Sequence, residues 1–167
     1  AAKLAREAGW PDEAFAAMKA FPGLPHRMEN LGYLRGVRFV NDSKATTMES
    51  VKTAALGLHE QMDRKKNLVL LLGGKDKDLP WEELKALAKI QKLKVVYFGA
   101  VAARAKAGAG FEGPVFPKLG DALSALPRIA EEGDTVLLSP GGTSWDEFKN
   151  FEERGKFFTD SVRRLFR

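Results

Sequence analysis

From Asn67 to Leu72 the chain runs Leu-Val-Leu-Leu-Leu after the asparagine, with no polar residue to face water. A strand of this kind must be covered on both faces, as in the middle of a parallel sheet packed between helices. Leu93 to Phe98 and Thr135 to Leu138 repeat the pattern more briefly. Helical spacing fills the intervals. Met48 to Leu58 puts Val51, Ala54, Ala55 and Leu58 on one face, and Trp81 to Ile90 puts Trp81, Leu84, Leu87 and Ala88 inward. An Ala-rich helix is expected from Ala100 to about Lys106, with Gly108-Ala109-Gly110 looping out of it. Further helices are expected from Asp121 to Glu132 and from about Glu147 to Phe166. Strand-helix alternation of this sort predicts an α/β fold with a mostly parallel, open sheet flanked by helices. Val115-Phe116 reads as one more short strand. Met28 to Leu34 and Val37 to Val40, on either side of Arg35-Gly36, read as a hairpin adding an antiparallel edge at the N-terminal side.

The start of the chain has a different character. Leu4 to Ala8 reads as the end of a helix stopped by Gly9, and Ala1 already lies inside that pattern with no capping residue before it. This predicts a fragment of a longer protein. Pro11-Asp12-Glu13 opens a second helix with Phe15, Met18 and Phe21 on one face. Phe21-Pro22-Gly23-Leu24-Pro25 then breaks it, a candidate domain boundary or hinge.

Composition removes several function classes. A chain of 167 residues that is 44% hydrophobic and 29% charged fits one soluble domain with a proper core. With no Cys there is no disulfide framework, thiolate zinc site or cysteine nucleophile, which suits a cytoplasmic location. No apolar run reaches the roughly 20 residues of a membrane span, so no membrane insertion is expected. The net charge of +5 is scattered and mostly offset by nearby acids, and no nucleic-acid-binding signature is present; phosphorylated small molecules suit it better. The acids are dispersed and the two His lie on different elements, so no metal site is predicted.

Three loops following expected parallel strands are richer than connection requires. Asn41-Asp42-Ser43-Lys44-Ala45-Thr46-Thr47 crowds an acid, a base, an amide and three hydroxyls into a strand-to-helix junction. One explanation is helix capping by Asp42, Ser43 or Thr46. The other is ligand binding, because ligands of open α/β sheets sit beyond the carboxyl ends of the strands. Gly73-Gly74-Lys75-Asp76-Lys77 offers backbone amides and mobile cations to an anion, without the spacing of a G-x-x-x-x-G-K-[ST] phosphate loop. Ser139 to Asp146 brings Thr143 and Ser144 to a helix start, with no nucleophile elbow. Asp42, Lys44, Thr46, Lys77 and Ser144 are therefore expected in a single crevice, with His26-Arg27 as an exposed basic pair beside the hinge.

Five segments in order resemble the C-terminal domain of the Mur ligase family, most closely its D-glutamate-adding branch. They are Phe21-Pro22-Gly23-Leu24-Pro25-His26-Arg27, Asn41 to Thr46, Leu72 to Lys77, Leu138-Ser139-Pro140 and Phe148 to Gly155. The resemblance implies a Rossmann-like domain at 23–167, preceded at 1–22 by the tail helices of an ATP-binding domain plus the hinge. It implies a ligase that uses ATP and Mg²⁺ to activate a carboxylate as an acyl phosphate, which the amine of D-glutamate attacks. The acceptor, a nucleotide-linked muramoyl-L-alanine, would be held by upstream domains together with most of the ATP and Mg²⁺ contacts. The chain alone would be inactive, and a monomer is expected. By the same resemblance, Arg27 and Lys44 would be catalytic, and His26, Arg27 and Asp42 would contact ATP. Thr46, Lys77, Ser144 and Phe151 would contact D-glutamate. No general base for the amine stands out. Two departures touch the amino-acid pocket: Gly141-Gly142-Thr143 replaces the family's frequent Ala-Cys-Ala, and Trp145 stands where a smaller apolar residue is common. A sibling ligase selecting L-lysine, diaminopimelate or L-glutamate, and a non-catalytic anion-binding module, are the alternatives.

Overall fold

The computed structural model of the chain describes residues 2–11, 13–15, 23–75 and 77–167. The expected break at Phe21-Pro22, the placement of Met18 and Phe21 on a helix face, and Asp76 lie outside them. The strands are β1 (Glu29–Leu34), β2 (Val37–Asn41), β3 (Leu68–Gly73), β4 (Leu93–Phe98), β5 (Val115–Phe116) and β6 (Thr135–Gly141). The helices are α1 (Ala2–Glu7), α2 (Met48–Gln61), α3 (Ala102–Ala109), α4 (Leu119–Ile129) and α5 (Phe151–Leu165), with a 3₁₀ helix at Trp81–Lys89. The sheet order is β1-β2-β6-β3-β4-β5, antiparallel between β1 and β2 and parallel elsewhere, the α/β architecture expected.

Strand β3 lies at the centre of the molecule, as its composition demands. Leu68, Leu70 and Leu72 point into the layer formed by α2, the 3₁₀ helix and α3, while Val69 and Leu71 point into the layer formed by α4 and α5. Leu68 to Leu72 are all fully buried. At about 1.5–3 kcal/mol for each buried apolar side chain, this strand anchors both cores. The β1–β2 turn is tight because Arg35 and Gly36 both take left-handed backbone angles, with φ of 47° and 73°, the geometry that matches strand twist in a two-residue hairpin. Val51, Ala54, Ala55 and Leu58 are buried on α2, as their spacing predicts.

Three expectations need correction. The segment from Trp81 is a 3₁₀ helix, not an α-helix, and Ala88 is exposed, not inward. Trp81, Leu84, Leu87 and Ile90 are buried at strict three-residue intervals. Three residues per turn stack such a row on one line, whereas 3.6 would rotate it away from the core. Gly108 and Ala109 belong to helix α3, which ends at Gly110 in a left-handed conformation (φ 74°). The last helix starts at Phe151, because Asn150 caps it by accepting a hydrogen bond from Glu153 N at 2.8 Å.

Candidate functional site

Strands β2, β6 and β3 are parallel neighbours, so the loops leaving their carboxyl ends emerge side by side. Backbone hydrogen bonds then join the loops to one another. Gly141 N donates to Ala45 O (3.1 Å), Gly142 N to Gly73 O (3.2 Å), and Lys75 and Thr143 exchange two bonds at 2.7 and 2.9 Å. A Cβ on Gly142 would meet the carbonyls of Gly73 and Lys75, so only glycine lets these loops approach so closely.

Arg154, in the first turn of α5, completes the assembly. It is fully buried and donates through Nε to Ser43 Oγ (3.0 Å), through Nη2 to Ser43 O (2.8 Å) and through Nη1 to Gly142 O (3.1 Å). Ser43 Oγ in turn donates to Phe151 O (2.8 Å). Burial pushes the Arg154 pKa down to about 10, opposed by the nearby charges of Asp146 and Glu147, so the guanidinium remains charged at neutral pH. Sequence reasoning did not single out Arg154, although a signal was present. Arg154, Phe158 and Val162 recur at four-residue spacing, which puts the arginine on the core-facing stripe of α5.

The junction after β2 divides its duties. Thr47, not Asp42, Ser43 or Thr46, is the N-cap of α2, accepting a bond from Ser50 N at 3.2 Å. The preceding residues are thereby released from that task. Asn41 is buried and its amide lies 3.0 Å from both His26 Nδ1 and Gly155 O. His26 is therefore half-buried, not an exposed basic residue. Its ring sits between Asn41, Glu29 (3.5 Å) and Gly155, where an added Cβ would strike it. Arg27 is exposed, as expected.

Asp42, Arg27 and Lys44 line a cavity of about 430 Å³ against the start of α2, with Glu49 and Ser50 on its other wall. Asp42 accepts from Met28 N (3.1 Å) and Ser139 Oγ (3.1 Å). Burial raises its pKa above the usual value of 3.8, and these two bonds and the charge of Arg27 oppose the rise. A second cavity of about 300 Å³ is lined by Thr46, Lys77, Ser144, Trp145, Asn150 and Phe151, among others. Between them lies a third, bordered by His26, Arg27, Lys44 and Phe151. The five residues expected in one crevice thus occupy adjoining chambers. Lys44 and Phe151 stand at the divide, with the lysine Nζ 4.0 Å above the centre of the phenylalanine ring. Lys77 Nζ is seated in the same way, 4.3 Å from the centre of the Trp145 ring. The arrangement can take anions: exposed cations and the hydroxyls of Thr46 and Ser144 face open chambers, which Glu49 and Glu152 also line. Among the described residues, no group of three His, Asp or Glu converges as a metal site would require.

The family model "Mur ligase, glutamate ligase domain" matches residues 26–142, which takes in the first two of the three loops and most of the sheet. The chain belongs to the Mur ligase family. Among curated relatives, this Mur ligase domain is 37% identical over 155 residues to the UDP-N-acetylmuramoylalanine–D-glutamate ligase of Syntrophus aciditrophicus, covering 92% of this chain and 33% of that protein. It is 40% identical over 169 residues to the enzyme of the same name from Myxococcus xanthus, covering 99% of this chain and 35% of that protein. The chain therefore spans about a third of the length of the curated relatives it matches. Among solved structures, the MurF ligase of Thermotoga maritima in complex with ADP superposes with a TM-score of 0.59 at 15% identity, covering 98% of this chain and 35% of that one. The UDP-N-acetylmuramoylalanyl-D-glutamyl-2,6-diaminopimelate–D-alanyl-D-alanyl ligase of Acinetobacter baumannii superposes with a TM-score of 0.61 at 17% identity, covering 92% and 32%. At such identities these structures show a shared fold.

Proposed function

We propose that this chain is the amino-acid-binding, C-terminal domain of an ATP-dependent ligase that adds D-glutamate to UDP-N-acetylmuramoyl-L-alanine in the cytoplasm. Residues 23–167 form that domain, and 1–22 are the tail of a preceding ATP-binding domain and its hinge. The observation that carries the reading is the row of three chambers on one sheet edge, whose two outer members differ. One holds Arg27 and Asp42, and the other holds Thr46, Lys77 and Ser144. In the proposed roles, Arg27 reaches the terminal phosphate of ATP, and Asp42 accepts from the ribose hydroxyls with its remaining lone pairs. His26, anchored by Asn41, lines the nucleotide side. Thr46, Lys77 and Ser144 hold the carboxylates of D-glutamate, with Phe151 shaping the wall between.

Lys44, on the divide, is suited to neutralise charge as phosphoryl transfer activates the acceptor carboxylate and the amine attacks the acyl phosphate. These residues position reactants and balance charge; none forms a bond to the substrate. The described residues do not fit a Mg²⁺ site, since no acids cluster here and both oxygens of Asp42 already accept hydrogen bonds. The metal is assigned to the rest of the enzyme. The test is turnover. The complete protein should form an amide from UDP-N-acetylmuramoyl-L-alanine, ATP and D-glutamate, and this chain alone should release no product. A preference for L-lysine, diaminopimelate or L-glutamate would overturn the substrate assignment, and ligation by the chain alone would overturn the division of labour.

A further inference from the structure

Trp145 is a large apolar side chain left 60% exposed beside a pocket of polar and charged groups. The ammonium of Lys77 lies 4.3 Å from the ring centre. Several other lysines meet acids. Lys52 lies 2.8 Å from both Glu49 and Glu83, Lys106 lies 2.9 Å from Glu112, and Lys156 lies 2.7 Å from Asp160. Among the described residues, Lys77 has no carboxylate within ion-pair distance. The difference is chemical. A carboxylate fixes a lysine but cancels its charge, whereas an aromatic face attracts the cation through its quadrupole and leaves the charge in place. A lysine held on a ring is thus both placed and still able to bind an anion.

We infer that Trp145 is a positioning and selectivity residue for an acidic amino acid: it seats Lys77 so that one ligand carboxylate meets a cation already in place. The inference rests on the ligase reading above and extends it to a residue where this chain departs from the family pattern. The seat is hydrogen-bonded on both sides. Ser144 O, one residue before the ring, accepts from Glu147 N (3.1 Å) and Phe148 N (2.8 Å). Asp146 Oδ2, one residue after it, accepts from Ala100 N (3.0 Å). The Lys75–Thr143 backbone pair ties the two loops together just below. Holding a flexible lysine in place before binding removes part of the ordering cost that a free side chain would impose. Phe151, on the other side of the same pocket, seats Lys44 in the same way, with that lysine facing the neighbouring chambers. A cation on a ring in this wall stands at a set spacing from the Thr46 and Ser144 hydroxyls that line the same pocket. That suits a ligand with two carboxylates at one separation and disfavours a ligand one methylene shorter.

The experiment uses the complete ligase. Trp145→Leu should raise KM for D-glutamate 5- to 20-fold while leaving kcat and KM for ATP within twofold, and should narrow the preference for D-glutamate over D-aspartate. Trp145→Phe keeps an aromatic face and should stay within about threefold of the parent KM. Equal behaviour of the two variants, or an unchanged KM in Trp145→Leu, overturns the inference while leaving the ligase reading intact. A second measurement does not depend on turnover. The emission of Trp145, isolated as the difference between the parent chain and Trp145→Phe, should shift in Lys77→Met. A parent enzyme that ignores D-glutamate would overturn the substrate assignment, and that emission would then decide the seat: a shift supports it and no shift removes it.

Discussion

Three cations on this sheet edge illustrate two opposite uses of positive charge. Arg154 is fully buried, with each nitrogen of its guanidinium committed to an oxygen of Ser43 or Gly142. Lys44 and Lys77 are exposed, rest on aromatic rings, and meet no carboxylate among the described residues. The buried cation is out of a ligand's reach, but it fixes the loops that carry the exposed ones. The exposed lysines contribute little to holding the fold, yet they keep their charge available. On the proposed reading, saturation goes with the scaffold and unneutralised exposure with the receptor, even where the residues are close neighbours.

The sharpest way to break this contrast is Arg154→Met. The variant keeps the volume but leaves the carbonyls of Ser43 and Gly142 buried without a donor, at about 1–3 kcal/mol each. Urea unfolding should show a loss of about 2–5 kcal/mol. Arg154→Lys restores the charge without the fork and should recover only part of it. A loss under about 1 kcal/mol would mean that the loops hold their shape by backbone bonds alone and that Arg154 is not the clasp.

The contrast also explains what could be read without coordinates. The apolar run of β3, the Arg35-Gly36 turn and the stripe Val51, Ala54, Ala55 and Leu58 are local signals, and each appears where its spacing puts it. The grouping of Asp42, Lys44, Thr46, Lys77 and Ser144 was legible for a related reason: they lie in loops whose chemistry exceeds what a connection needs, and these loops emerge side by side. The scaffold was harder to see. Arg154 meets Ser43 across 111 positions of sequence, so no window along the chain contains both partners. The division into chambers was hidden likewise, because it depends on where the Phe151 ring lies relative to Lys44. The 3₁₀ helix was misread for a subtler reason. Trp81, Leu84 and Leu87 fit both helical periods, and only the burial of Ile90 and exposure of Ala88 separate them.

Asp42 falls between the two classes, being nearly buried and hydrogen-bonded like Arg154 yet facing a chamber like Lys44. Its titration can show which character dominates. Burial holds its folded pKa above 3.8, so just above that pH the folded chain keeps a proton that the unfolded chain has lost. Stability then falls as pH rises through the folded pKa, because the ionised form is the one burial penalises. Asp42→Asn cannot ionise and should lack this decline. In paired urea titrations from about pH 3.5 to 7, the parent should lose ground to Asp42→Asn as pH rises. Glu147, also raised by burial, contributes the same slope to both proteins and cancels. A parent that gains on the variant over that range would mean that the Met28 and Ser139 bonds and the Arg27 charge outweigh burial, placing Asp42 with the scaffold.

The smallest effect is expected one turn away. Thr47 caps α2 through Ser50 N, is exposed, and is absent from the linings of the three chambers at the divide. Thr47→Ala should cost about 0.5–1 kcal/mol in urea unfolding, the lower part of the range for losing a threonine cap. Its neighbour Thr46 lines the chamber that holds Lys77, so the pair separates capping from binding at adjacent positions. In the complete protein, Thr47→Ala should leave KM for the amino acid unchanged. If Thr47→Ala raises that KM as well, the cap sets the path of the junction from Asp42 to Thr46, and scaffold and receptor are not separable there.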